Sequence, residues 1–159
     1  MKAVLFKEFG GAEKLHVTDI DTPQPAPSEI LVKVKAAGVN PVDWKIREGY
    51  LDGVLPHQFP IIPGWDVAGI VESTGIGVTS CKAGDEIWSY CRRETVHFGA
   101  YAEYVVLPEH LVTLKPDTLS FKQAAAIPLA GLTAYQALFE AGGLNRGHTV
   151  LIHAAAGGV

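Results

Sequence analysis

The residues of plainest chemical meaning are the last ones. Thr149-Val150-Leu151-Ile152-His153 is an almost continuously apolar run, and it leads into Ala154-Ala155-Ala156-Gly157-Gly158-Val159. Such a run is expected of a central parallel strand covered on both faces. Glycines placed after it let the backbone turn tightly and approach a pyrophosphate, whose charge the N-terminus of a following helix stabilises. Ala156, Gly157, Gly158 and Val159 are therefore candidate cofactor-binding residues. The rest of such a loop, its helix and the residue that reads the adenosine ribose are expected beyond Val159. Metal chemistry has little to work with. Cys81 and Cys91 lack a cysteine-rich neighbourhood, and His57, His97, His110 and His153 stand isolated, whereas zinc needs several oriented N, S or O ligands. Two cysteines in 159 residues do not make a secreted disulfide framework, so both are read as free thiols.

The elements that must position these residues change character along the chain. Up to about residue 115 the pattern is of short β-forming runs: Ala3 to Phe6, Leu15 to Asp19, Ile30 to Ala37, Val67 to Glu72, Glu86 to Tyr90 and Tyr101 to Leu107. Val32, Val34 and Ala36 alternate with Leu31, Lys33 and Lys35, the period of a strand with its lysines toward water. The three prolines of Thr22 to Ser28 cannot donate ladder hydrogen bonds and make that stretch an extended connector. Asn40, Pro41 at the first helical position and Asp43 two residues on compose a helix start, and Gly49 supplies its stop. Near residue 120 the period changes. Ser120 and Gln123 form a capping pair, Ala124 to Ala126 favour helix, and Pro128 opens a second helix. Leu132, Tyr135 and Leu138 or Phe139 are expected to be its buried stripe, with Gly142 and Gly143 at its end.

Composition excludes several classes. The 13 basic and 17 acidic residues give a net charge of −4 and are interspersed, so no electropositive track is available for nucleic acid. No stretch approaches the ~20 apolar residues that cross a bilayer, and the start MKAVLFKEFGG is not a targeting core, so the expected location is cytoplasmic.

Gly38-Val-Asn-Pro-Val-Asp-Trp-Lys-Ile-Arg-Glu-Gly49 and Pro60-Ile-Ile-Pro-Gly-Trp-Asp-Val-Ala-Gly-Ile-Val71 resemble the amino-terminal signature of the zinc-independent quinone oxidoreductase branch of the medium-chain dehydrogenase/reductase superfamily. Gly84-Asp85-Glu86, Gly99 to Tyr104, Ala124 to Pro128, Leu132 to Tyr135 and Val150 to Val159 agree with it in order. The resemblance implies a mainly β GroES-like barrel domain over residues 1–119, which carries the substrate side. Residues 120–159 would be the opening helices and first strand of a truncated α/β Rossmann domain. It also implies that the full-length protein is a cytoplasmic homodimer. That protein would transfer hydride from NADPH, or NADH, to a small-molecule quinone or α,β-unsaturated carbonyl, while these 159 residues alone would be inactive. The alternatives are a cofactor-binding or regulatory protein without turnover and, less favoured, a zinc alcohol dehydrogenase.

The same resemblance assigns roles. Asn40 matches the family residue at the nicotinamide end of the cleft, where its amide offers a donor and an acceptor without charge. Thr133 matches a threonine beside the nicotinamide and ribose; a bond back to its own helix is the competing role. Lys45 stands where the family often has a tyrosine. It could attract an anionic substrate or a cofactor phosphate, or simply be an exposed helical lysine, and Tyr50 is a nearby hydroxyl. Asn40 replaces the first zinc-ligand cysteine of the related alcohol dehydrogenases, and Trp65-Asp66 replaces their His-Glu, so no zinc is expected.

Overall fold

The computed structural model describes all of residues 1–159. Its elements run β1 (Lys2–Leu5), β2 (His16–Asp19), β3 (Glu29–Gly38), α1 (Pro41–Arg47), β4 (His57–Ile62), β5 (Asp66–Thr74), β6 (Glu86–Tyr90), β7 (Val96–Phe98), β8 (Tyr104–Pro108), β9 (Val112–Leu114), α2 (Phe121–Ala125) and α3 (Pro128–Tyr135). The chain leaves α3 through a π-helical turn, Gln136–Ala141.

β3 lies between β5 and β8, and both neighbours are antiparallel to it. Ile30, Leu31 and Val32 are all buried; successive side chains point to opposite faces, so both faces of β3 are covered here. Lys33 and Lys35 reach solvent, as their period predicts. The sheet continues through β6 to β9 in the order β8-β3-β5-β6-β9. Its apolar centre includes Ile30, Val32, Val67, Val71, Ile87 and Leu107.

The expected barrel is not formed. β8 and β9 end the five-stranded order without pairing to each other, and β1–β2 and β4–β7 are separate two-stranded sheets. β1 is tied to the rest by isolated bridges, Ala3 to Ala102 and, just beyond its end, Phe6 to Ile61. Closure needs continuous hydrogen bonding between the end strands, which these short edges do not provide. The pairing is mainly antiparallel, with β4 and β7 the parallel pair. A second core of Phe6, Ile46, Ile61, Trp65 and Val96 lies beneath α1 and this small pair.

The helix starts follow their local signals. Gln123 N–H donates to Ser120 Oγ at 3.3 Å while Ser120 N–H donates to Gln123 Oε1 at 3.0 Å, a reciprocal capping box. Ala124 and Ala125 then bury against Ala68, small side chains that let α2 lie close to the sheet. Pro128 is the first residue of α3 and Gly142 caps the π turn.

Two further expectations are corrected. Leu132, Tyr135 and Phe139 are exposed and Leu138 is half-buried, so they do not form a buried stripe. Thr149 to His153 forms no strand, and Leu151 is 82% exposed. An apolar run becomes a strand only where another strand takes up its backbone groups, and none lies beside it. No helix is long and apolar enough to cross a membrane.

Candidate functional site

Asn40 sits between the end of β3 and the start of α1, held by two carboxylates. Its backbone N–H donates to Asp43 Oδ2 at 2.8 Å, which ties the helix start to its own third residue. Its side-chain Nδ2 donates to Asp66 Oδ2 at 2.9 Å. Asp66 opens β5, and its other oxygen, Oδ1, accepts the backbone N–H of Leu129 in the first turn of α3 at 2.9 Å. Gly38 makes the approach possible. A Cβ there would lie 2.5 Å from the Ala125 carbonyl oxygen and 2.8 Å from the Asp66 Cβ. Gly49, with φ +82, ends the segment after α1 in a conformation that disfavours other residues.

Asp43 does more than cap α1. Its Oδ1 accepts the Gly64 N–H at 3.1 Å and its Oδ2 also accepts the Tyr101 hydroxyl at 2.9 Å, so one buried carboxylate joins α1, the turn before β5 and the segment before β8. Burial holds both the Asp43 and Asp66 carboxyls above the usual aspartate range, against the hydrogen bonds that pull them down. Burial and the neighbouring Asp43 push the Tyr101 hydroxyl well up. No lysine or arginine forms an ion pair with either aspartate. The donors that satisfy Asp66 are an uncharged amide and the positive end of α3.

The other sequence candidates do not all converge here. Lys45 lies in the last turn of α1 with its ammonium 5.7 Å from the Trp44 ring centre, and the Tyr50 ring meets the same indole at 5.5 Å. The three make an exposed aromatic and cationic cluster on α1 and the turn after it. Thr133 lies one turn along α3 from Leu129, and its Oγ1 donates to the Leu129 carbonyl at 2.7 Å, the bond back to its own helix. Its hydroxyl oxygen can still accept. Ala156, Gly157, Gly158 and Val159 are exposed beyond the π turn and join none of these groups. A groove of about 520 Å³ opens between α3 and the β6–β9 edge, lined by Trp88, Tyr90, His110, Pro128, Leu132 and Tyr135. Neither Asn40 nor Thr133 lines it.

Asp66 and Tyr101 are the site residues that sequence reasoning missed. The sequence pattern marks Asp66 only as a replaced zinc ligand. A better signal is present: an ionisable residue at the head of the apolar run Val67-Ala68-Gly69-Ile70-Val71 must find partners when buried. No cluster of three or more His, Cys, Asp or Glu side chains could hold a metal ion.

The alcohol dehydrogenase GroES-like domain family matches residues 26–117. Human quinone oxidoreductase is 42% identical over 160 residues, which cover 100% of this chain and 47% of that protein. The synaptic vesicle membrane protein VAT-1 homolog-like of Mus musculus is 39% identical over 159 residues, covering 100% of this chain and 36% of that one. The Escherichia coli quinone oxidoreductase complexed with NADPH superposes with a TM-score of 0.80 at 34% identity, over 89% of this chain and 41% of that one. The chain thus spans less than half the length of these relatives.

Proposed function

Because this chain belongs to the zinc-independent quinone-oxidoreductase branch of the alcohol dehydrogenase superfamily, we propose that its full-length protein is an NADPH-dependent reductase of quinones or α,β-unsaturated carbonyls. The observation that carries the reading is Asn40. It is an uncharged amide pinned by Asp66 at 2.9 Å to the helix that bears Thr133. The donor set suits the nicotinamide end of a cofactor. It offers amide and hydroxyl groups and no free cation that would oppose a positively charged ring.

When bound, the reduced nicotinamide supplies the hydride. Asn40 and Thr133 contribute hydrogen bonds that fix distance and angle, the quantities on which transfer rates depend most steeply. The second N–H of the Asn40 amide, the one not given to Asp66, stabilises charge that develops on the acceptor oxygen, and solvent supplies the proton. Lys45 and Tyr50, exposed together beside Trp44, serve the mouth, where the ammonium attracts an anionic acceptor or a cofactor phosphate. Ala156, Gly157, Gly158 and Val159 are assigned to the pyrophosphate. The division at residue 120 separates a substrate-side domain from a nucleotide-side one, and the working assembly is a cytoplasmic homodimer.

The test is oxidation of NADPH and of NADH by the purified full-length protein with a panel of quinones and enones, followed by the nicotinamide absorbance. Turnover faster with NADPH is expected. Cofactor binding with no oxidation above background across the panel refutes the reductase reading, and tighter NADH than NADPH binding by calorimetry refutes the cofactor preference.

A further inference from the structure

We propose that Asp66 is the positioning residue of this site, a single buried carboxylate that sets which edge of the Asn40 amide faces outward and couples it to α3. The inference rests on the reading of Asn40 as a cofactor contact.

An amide side chain can be turned over about its terminal bond at little steric cost, exchanging donor for acceptor. At position 40 the exchange is blocked. The Asp66 side chain is wholly buried, its Oδ1 is engaged by Leu129 N–H at 2.9 Å and its Oδ2 faces Asn40 at 2.9 Å. A carboxylate only accepts, so the atom of Asn40 that faces it must be nitrogen. Turned over, Asn40 would set its oxygen against a buried anion with no proton between them. The backbone of Asn40 cannot escape by shifting, because Asp43 holds its N–H at 2.8 Å. The two aspartates therefore have separate roles, Asp43 locating the residue and Asp66 orienting its amide.

The second bond gives the carboxylate its reach. Leu129 N–H is one of the donors that a helix start leaves without an intrahelical acceptor, so Asp66 both satisfies it and meets the positive end of α3. Asn40 and the first turn of the helix that carries Thr133 are thereby held by opposite oxygens of one side chain. Movement of α3 is transmitted to the amide through a link of two hydrogen bonds.

Asp66→Asn separates this role from a structural one, because it keeps shape and can keep the Leu129 bond. With its oxygen on Leu129, the new amide turns its nitrogen toward position 40, and Asn40 must turn over to answer with its oxygen. The Asn40 side-chain amide signal in nitrogen-proton NMR, identified by its loss in Asn40→Ala, is expected to be exchange-protected in the wild type. It should lose protection in Asp66→Asn while the Leu129 amide keeps its own. In the full-length protein, Asp66→Asn is expected to weaken NADPH binding about tenfold, the scale of one well-placed hydrogen bond. The double variant Asn40→Ala/Asp66→Asn should bind no more weakly than Asn40→Ala alone, whereas a merely structural Asp66 would give additive losses. If Asn40→Ala weakens binding but Asp66→Asn matches the wild type, or its Asn40 signal stays protected, the positioning role is overturned. If Asn40→Ala binds NADPH like the wild type, the cofactor reading of Asn40 falls and the positioning role with it.

Discussion

Replacing Tyr101 with phenylalanine removes one oxygen and leaves the ring. That ring lies against Gly64, where φ is +95 and a Cβ would collide with it, so packing is preserved and no cavity opens. What is lost is the hydroxyl's 2.9 Å bond to Asp43 Oδ2. A hydrogen bond to a charged group contributes about 1.5–3 kcal/mol. The lower end applies here, because Asp43 keeps the Asn40 and Gly64 N–H donors and Tyr101 is only half-buried. We expect a loss of about 1.5 kcal/mol, read as a lower urea midpoint at unchanged slope in equilibrium unfolding near neutral pH. The pH dependence gives a second check. The hydroxyl stabilises the ionised carboxylate, so its removal raises the already elevated Asp43 pKa further. The cost of Tyr101→Phe should therefore be greatest where Asp43 is charged and shrink as pH falls through its folded pKa. A loss below about 0.5 kcal/mol, or one equal at neutral and acid pH, would refute the view that Tyr101 acts through this hydrogen bond.

The two aspartates also set a slope of their own. Both carboxyls are held above the ordinary value of 3.8, chiefly by burial, so the folded state binds protons more tightly than the unfolded one. Stability should fall as pH rises from 3.8 through the folded values, and Asp66→Asn should flatten that decline in pH-resolved unfolding. The Cys91 thiol is buried and pushed up to about 12, so iodoacetamide at mildly alkaline pH should label it only after denaturation, as peptide mass mapping would record. Gly99→Ala would bring a Cβ to 2.5 Å from the carbonyl oxygens of both Pro63 and Gly64 and 2.6 Å from that of Ile62. These oxygens accept from Tyr101, Ala100 and Gly99 respectively. Overpacking against backbone should cost about 3 kcal/mol in denaturant unfolding, and a change under about 1 kcal/mol would contradict the close approach.

What the sequence determined by itself was local. The Ser120–Gln123 box, Pro128 at the head of α3, Asn40 with Pro41 and Asp43, and the outward lysines of β3 are legible because each depends on residues within a turn or two of one another. The family was legible too, because its marks recur in order along the whole chain. The tertiary structure decided everything that depends on which distant groups meet. β4 carries a proline in its middle and β7 and β9 have three residues each, so they have little strand signal of their own and exist through their partners. The run from Thr149 to His153 is almost continuously apolar, as a central strand would be, and forms none, since its backbone groups have no neighbouring strand. Barrel closure failed as an expectation for the same reason, being a property of the end strands' pairing and not of any run. The sequence shows Asp66 as an ionisable residue at the head of an apolar run, but not which groups it meets. Only folding puts Asn40, 26 residues away, and Leu129, 63 residues away, on its two oxygens. A hydrogen bond depends on proximity in space, and sequence reports that proximity directly only along a few neighbouring residues.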